Sequence, residues 1–170
     1  IKPMDYQAFI SFQLIGEMLS RFITTFLPTF IVVYFLSNSA IHLGVNLIFF
    51  FVSIMIGVVI SLNIDFFVGT IALYTQSIWG VNIIKEVIVL LLSGAVIPLN
   101  FFPETLRNIT MYLPFQAIYH APLKLLINAD MLIGERLTII LVQLMWMVIA
   151  LIVSRLFWRK SLKIITVNGG

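Results

Sequence analysis

Long uncharged runs leave this chain few folds to choose from. Residues 22–36 hold no Asp, Glu, Lys, Arg or His, and residues 41–62 hold none apart from His42. Runs of this kind approach the ~20 apolar residues that cross a bilayer. In lipid every backbone N–H and C=O must be bonded within the protein, which leaves helices and closed barrels. A barrel strand alternates apolar and polar residues, whereas these runs are continuous, so helices are expected. Only 10% of the 170 residues are charged and 61% are hydrophobic, with a mean hydropathy of +1.12; a soluble domain carries about 25% charged residues. Such a chain cannot cover itself in water. The reading is an all-α, polytopic membrane protein.

Residues 2–22 mix Lys2, Asp5, Glu17 and Arg21 with Tyr6, Phe9, Ile10, Leu14, Met18 and Phe22 at three- and four-residue intervals. That spacing predicts an amphipathic helix on a membrane face, with Glu17 and Arg21 able to pair at i, i+4. A first span over residues 22–36 borrows part of this helix, and Ser37-Asn38-Ser39 ends it. A second covers residues 41–62, where Ser53, Gly57 and Ser61 form a stripe of small residues that lets another helix approach closely. Asn63 and Asp65 then interrupt the run, which resumes over 66–79. Either one long kinked element or two crossings with a turn at 63–65 fits, and an acid in mid-membrane would be costly. Gln76, Trp79, Asn82, Lys85 and Glu86 read as interfacial.

A further span is expected over residues 87–99, and the chain then breaks. Residues 93–126 hold four of the six prolines, Pro98, Pro103, Pro114 and Pro122. Each lacks an N–H and disfavours α geometry in the residue before it, so no straight helix runs through. The segment is too apolar for a soluble loop. It reads as an excursion that leaves the bilayer, lies along its surface and turns back. Pro103 with Glu104 marks a helix start, with Leu106, Ile109 and Leu113 on one face. A second short helix is expected from Pro114, with Phe115, Ile118, Tyr119 and Leu123 on one face and Gln116, His120 and Lys124 on the other. The last span covers 132–157, with Asn128 or Asp130 as its cap. Arg155, Arg159, Lys160 and Lys163 follow it, which places the C-terminus in the cytoplasm of a multi-pass plasma-membrane protein and reads as a topology anchor rather than a nucleic-acid surface. With both ends inside, four crossings fit.

The residues for catalysis are missing. There is no G-x-x-x-x-G-K-[ST] loop for nucleotide phosphates and no H-E-x-x-H; His42 and His120 are the only histidines. No G-x-S-x-G elbow occurs. With no cysteine, disulfides and thiolate metal sites are excluded. Asp130 and Glu135 flank a span start, as caps do. What remains is a membrane scaffold that moves something, or one that only anchors a larger complex. An anchor does not explain four prolines in one excursion.

The stretch SGAVIPLNFFPETLRNITMYLPFQAIYHAPLKLLI resembles the signature of type-2 ABC exporter permeases, a small-residue SG-x-x-x-P run followed by a Pro-led helix and a PF-aromatic helix. The closing W-R-K-x-L-K-x-x-x-V-N-G-G, from Trp158 to Gly170, is similar to the end of the bacterial daunorubicin and viologen exporter-like subfamily. The resemblance implies six spans in the whole protein, with an outer re-entrant helical hairpin before the last. This chain, which starts at Ile1, would be the later part, with four spans. Residues 41–79 would form one kinked span. Residues 2–21 would be a coupling helix, with Asp5, Glu17 and Arg21 facing a separate cytoplasmic ATPase that carries the ATP and Mg, this chain binding no cofactor. Ser53, Gly57 and Ser61 would face a neighbouring helix or the seam with a second permease chain, in a homo- or heterodimer. Ser93, Gly94, Pro98, Pro103, Pro114 and Phe115 would belong to an outer gate. The expected activity is ATP-driven export of a hydrophobic or amphipathic cargo.

Overall fold

The computed structural model describes residues 6–36, 44–71, 74–75, 78–128 and 130–168. They contain helices and turns and no strand. They fall into two units, one within residues 1–43 and the other within 44–170.

The first unit is helix α1 (Tyr6–Arg21), a π-helical turn (Phe22–Phe26) and α2 (Leu27–Leu36). The π turn lies just ahead of Pro28, whose missing N–H would leave the Thr24 carbonyl without its helical donor. Threonines tie the backbone around the defect. Thr24 Oγ1 donates to the Ser20 carbonyl at 2.8 Å, and Thr29 Oγ1 donates to that of Thr25 at 2.7 Å. Phe22, Phe26 and Phe30 stack in series, with centroids 4.7 and 5.7 Å apart. Ile15–Leu36, 22 residues, is long and apolar enough to cross a membrane. That stretch takes in the last seven residues of α1.

The second unit is built on two long helices, α3 (Val45–Ile71) and α7 (Ile133–Asn168). Between them come α4 (Ile78–Leu92), α5 (Glu104–Met111) and α6 (His120–Ile127), with single 3₁₀ turns at Leu99–Phe101 and Pro114–Ala117. Val45–Ile71 and Ile133–Leu162 are the other two stretches long and apolar enough to span. Hydrogen bonds between α3 and α7 climb in step, from Ser53–Gln143 to Asn63–Ser154, and Tyr74, just beyond α3, continues the series to Ser161, so the two helices run parallel.

The tight turn considered at residues 63–65 does not form: α3 passes straight through it. Asn63 stays helical by donating from Nδ2 to the Val59 carbonyl at 2.7 Å. Asp65 stays because α4 brings Lys85 to it at 2.7 Å. Helix α4 runs antiparallel to α3 and stops at Leu92, well short of residue 99. The reason is Gly94, at φ +79°, a left-handed conformation that L side chains resist. A Cβ there would also meet Leu99 Cγ at 3.1 Å.

The helix expected from Pro114 is a 3₁₀ turn followed by α6. The expected faces are not kept: Phe115 and Ile118 are half-buried while Tyr119 and Leu123, from the same face, are exposed, and Gln116 is buried while Lys124, from the other, is exposed. Gln116, Ala117, Ala121, Pro122, Leu125 and Leu126 are buried, while Tyr119 and Leu123 face out. Two causes combine. The 3₁₀ turn advances 120° per residue rather than 100°, shifting the register. In lipid, an apolar face also has no need to point inward. Helix α7 begins at Ile133, and Leu132 rather than Asn128 or Asp130 accepts its first backbone bond, from Arg136 N–H at 3.2 Å. Asn128 instead closes α6 by donating to the Lys124 carbonyl. The helix also continues past residue 157, to Asn168.

Candidate functional site

The four α7 residues buried among those described are Arg136, Gln143, Ser154 and Ser161. All are polar, while Leu137, Leu141, Met145, Val148 and Ile152 face out. The helix is inside-out by the standards of water, as suits a protein in lipid. Its polar seam, at steps of 7, 11 and 7 residues, returns to one face of a 3.6-residue helix. On α3, Asn46, Ser53, Gly57, Asn63 and Thr70 are buried, and Ser53 and Asn63 bond to the seam.

Gln143, fully buried, is the centre of this seam. Its Oε1 accepts from Ser53 Oγ at 2.8 Å, and its Nε2 donates to the Ala117 carbonyl at 2.7 Å and to the Ser53 carbonyl at 3.3 Å. One amide thus joins α3, α7 and the Pro114–Ala117 turn. Ala117 needs that donor because a 3₁₀ turn ending two residues before α6 leaves its carbonyl out of the helical ladder. Gly57 sits beside it on α3. A Cβ there would lie 3.1 Å from the Ile118 carbonyl oxygen and 3.2 Å from that of Ala117. The glycine is required by a close approach of backbone to helix, twelve residues from the start of α3. The proline-rich segment is therefore seated against the middle of α3, not across its end. Around the contact, Ile56, Ile60 and Ala117 form a core joined by Ile64, Ile118, Ile140, Leu144, Trp146 and Met147.

Further along, Ser154 Oγ donates to Asn63 Oδ1 at 2.9 Å, and Tyr74 OH donates to Ser161 Oγ at 2.8 Å. Phe66 meets Trp158 edge-on at 5.4 Å, and Phe67 meets Phe157 at 4.8 Å. Side-chain hydrogen bonds between membrane helices average about 0.6 kcal/mol each. Their larger effect here is register, because a one-residue slip would strand every partner at once.

Helix α4 is held differently. None of its residues is buried, and its polar tie to α3 is the Lys85–Asp65 pair, with side chains 18% and 32% exposed. The pair lines a recess of about 250 Å³ together with Ser61, Glu86 and Tyr119. Exposed pairs contribute about 0–1 kcal/mol, and breaking a buried pair costs about 3–5 kcal/mol. This pair lies between those limits. Lys85→Met is expected to destabilise the protein by about 2 kcal/mol, because it leaves Asp65 unpaired against apolar neighbours. Adding Asp65→Leu should recover most of that loss. Denaturation in mixed micelles of the two single variants and the double variant measures it.

The sequence-predicted residues are distributed as follows. Ser53 and Gly57 face α7 and the proline-rich turn of their own chain, while Ser61 opens into the Asp65 recess. Ser93 is fully buried, its carbonyl accepting from His120 N–H at 3.1 Å. Gly94 ends α4, Pro98 precedes the first 3₁₀ turn, Pro103 precedes α5 and Pro114 begins the second turn. Phe115 is half-buried in that turn. Glu17 lies exposed on α1. Asp5, His42 and the side chain of Arg21 lie outside the described residues. Sequence reasoning missed Gln143, Ser154 and Ser161; their common helical face was the signal available.

A polar seam between two long apolar helices with a proline-broken segment seated in it is a membrane architecture, and family comparison gives it a place. The family model for ABC-2 family transporter proteins matches residues 1–169. The chain belongs to the ABC-2 transporter family. No curated protein and no solved structure matches it. As an ABC-2 family member it is a multi-pass membrane subunit of an ABC transporter, a transport component rather than an enzyme. ABC-2 permeases normally work with ABC ATPase subunits. Among the described residues no group of three His, Cys, Asp or Glu side chains could hold a metal.

Proposed function

We propose that this ABC-2 chain is the permease of an ATP-driven exporter for a hydrophobic or amphipathic cargo, with the proline-rich segment as its outer gate. The observation that carries this reading is the seat of the Pro114–Ala117 turn at Gly57 and Gln143, halfway along the spanning pair. A segment lying on the surface would not reach there. One that re-enters the membrane would. The chain then crosses four times: residues 15–36, α3, α4 completed by the re-entrant hairpin, and α7. The positive cluster after α7 puts that end in the cytoplasm, so the Asn46 end of α3 is outer. Helix α4 is the moving part, turning about Gly94 and released by the Lys85–Asp65 pair, while α3, the hairpin and α7 move as one body.

The motor is a separate cytoplasmic ATPase carrying ATP and Mg, engaged through the N-terminal stretch at Asp5, Glu17 and Arg21, and the complete transporter contains two permease chains. The C-terminal W-R-K motif supports the daunorubicin and viologen exporter-like subfamily and a bacterial plasma membrane. The test is co-purification. The full-length protein, tagged and extracted gently from native membranes, is expected to bring a Walker-motif ATPase with it. Reversing the charges of Glu17 and Arg21 together should reduce the recovered ATPase by about tenfold. Absence of any ATPase in several mild detergents would leave the permease without a motor and favour a membrane anchor.

A further inference from the structure

A recess of about 300 Å³ opens where α4 ends, between the first 3₁₀ turn, the end of α5 and α6. Its polar lining is Asn100, His120, Lys124 and Asn128, and among the described residues no carboxylate lines it. Its apolar wall is Met111, Leu123 and Ile127. The other polar recess, at Asp65, holds two acids to one lysine, so the two differ in sign.

Depth orders the lining. The Asn128 carbonyl lies 3.5 Å from Asn46 Nδ2, and Asn46 is the second residue of a 27-residue apolar helix. Asn128 therefore stands at the edge of the apolar layer, where lipid headgroups lie. At the other end of α6, His120 is bonded to Ser93, beside the turn that packs on Gly57. Eleven residues of α3 separate the two levels, about 16 Å. The recess thus opens at headgroup level at Asn128 and runs inward along α6, with Lys124 one turn, about 6 Å, deeper, and with Leu123 and Ile127 as an apolar wall beside it.

We propose that this recess binds an anionic phospholipid, with the phosphate on Lys124 and the amides of Asn100 and Asn128, and an acyl chain along Met111, Leu123 and Ile127. The ammonium supplies charge and the amides supply directed donors. Inorganic phosphate shares the head chemistry and lacks the tail. This is a resident lipid site, independent of what the transporter carries.

The experiment uses the full-length protein in nanodiscs of phosphatidylcholine with a minor fraction of phosphatidylglycerol, followed by native mass spectrometry of the lipid retained. Wild type is expected to retain phosphatidylglycerol over phosphatidylcholine. Lys124→Ala should reduce that preference about fivefold, and Lys124→Arg should keep it. Leu123→Asn, which leaves the charge in place, should also weaken retention, as the tail contact requires. Millimolar inorganic phosphate should not displace the lipid; displacement would assign the site to the free anion and overturn the lipid. Equal retention of the two lipids by wild type, or an unchanged preference in folded Lys124→Ala, would overturn the site itself.

Discussion

Replacing Gly57 with leucine is expected to produce the largest loss of stability of any single substitution in the second unit. The leucine Cβ would press on two backbone carbonyls, at 3.1 and 3.2 Å, which have no side-chain freedom with which to yield. Its remaining carbons would need space held by Ile118 and Ala117. Overpacking costs about 1–3 kcal/mol, and moving the turn away would also break the Gln143–Ala117 bond. We expect about 3 kcal/mol or more for Gly57→Leu. Gly57→Ala, whose single methyl needs a shift of a few tenths of an ångström, should cost about 1 kcal/mol. Urea unfolding in mixed micelles, followed by Trp fluorescence, measures the series. Trp146 packs against this core and should report it directly. A leucine variant as stable as wild type would mean that the turn does not sit on α3.

The second large effect is expected at Gln143. Leucine at this position keeps the volume and removes one acceptor and two donors from a fully buried site. Ser53 can turn its hydroxyl back to its own helix, as Ser and Thr do. The Ala117 carbonyl has no such recourse, and an unsatisfied buried polar group costs about 1–3 kcal/mol. Gln143→Leu should therefore cost about 2 kcal/mol, and Ser53→Ala, which leaves the buried Gln143 Oε1 without its donor, about 1 kcal/mol. The double variant should be close to Gln143→Leu alone, since both remove the same bond. Double-mutant analysis of the four proteins measures that coupling. Additive effects would mean that the Ser53–Gln143 bond carries nothing.

Some of this was legible in the amino-acid order and some was not, for identifiable reasons. Helical class, membrane solvent and the long spans follow from uncharged runs, because lipid leaves no other way to satisfy a backbone. The proline-broken excursion was visible for the same reason, since a missing N–H is written in the residue type. The stripe of Ser53 and Gly57 was visible as small residues, but its partner was not. A glycine reports that something comes close, not that it is the backbone of residues 117 and 118. Gln143, Ser154 and Ser161 were hidden by averaging: single polar residues barely dent the hydropathy of a run, though their recurrence on one face marks a seam. Asn63 and Asp65 left one span or two open because the same pair makes a good turn in water. In α3 each is satisfied by a neighbour, Ser154 or Lys85, that lies far away in sequence. The faces of the stretch from Pro114 were not kept because a 3₁₀ turn shifts the register at its start, and because amphipathicity assumes an aqueous outside where the outside here is lipid.

In the proposed cycle α4 moves against a body locked by Gln143 and Gly57 when the ATPase closes. The most direct test is the distance between spin labels at Ile84 on α4 and Ile48 on α3, both exposed positions, in the purified transporter with its ATPase. This stretch contains no cysteine of its own, so the two introduced thiols are the ones it presents for labelling. Pulsed electron resonance with and without a trapped nucleotide should show the distance shift by at least about 2 Å, the scale of helix movements in switching proteins. A control pair at Ile48 and Leu141, on α3 and α7, should not shift. Unchanged distances for both pairs across the nucleotide cycle would contradict the account.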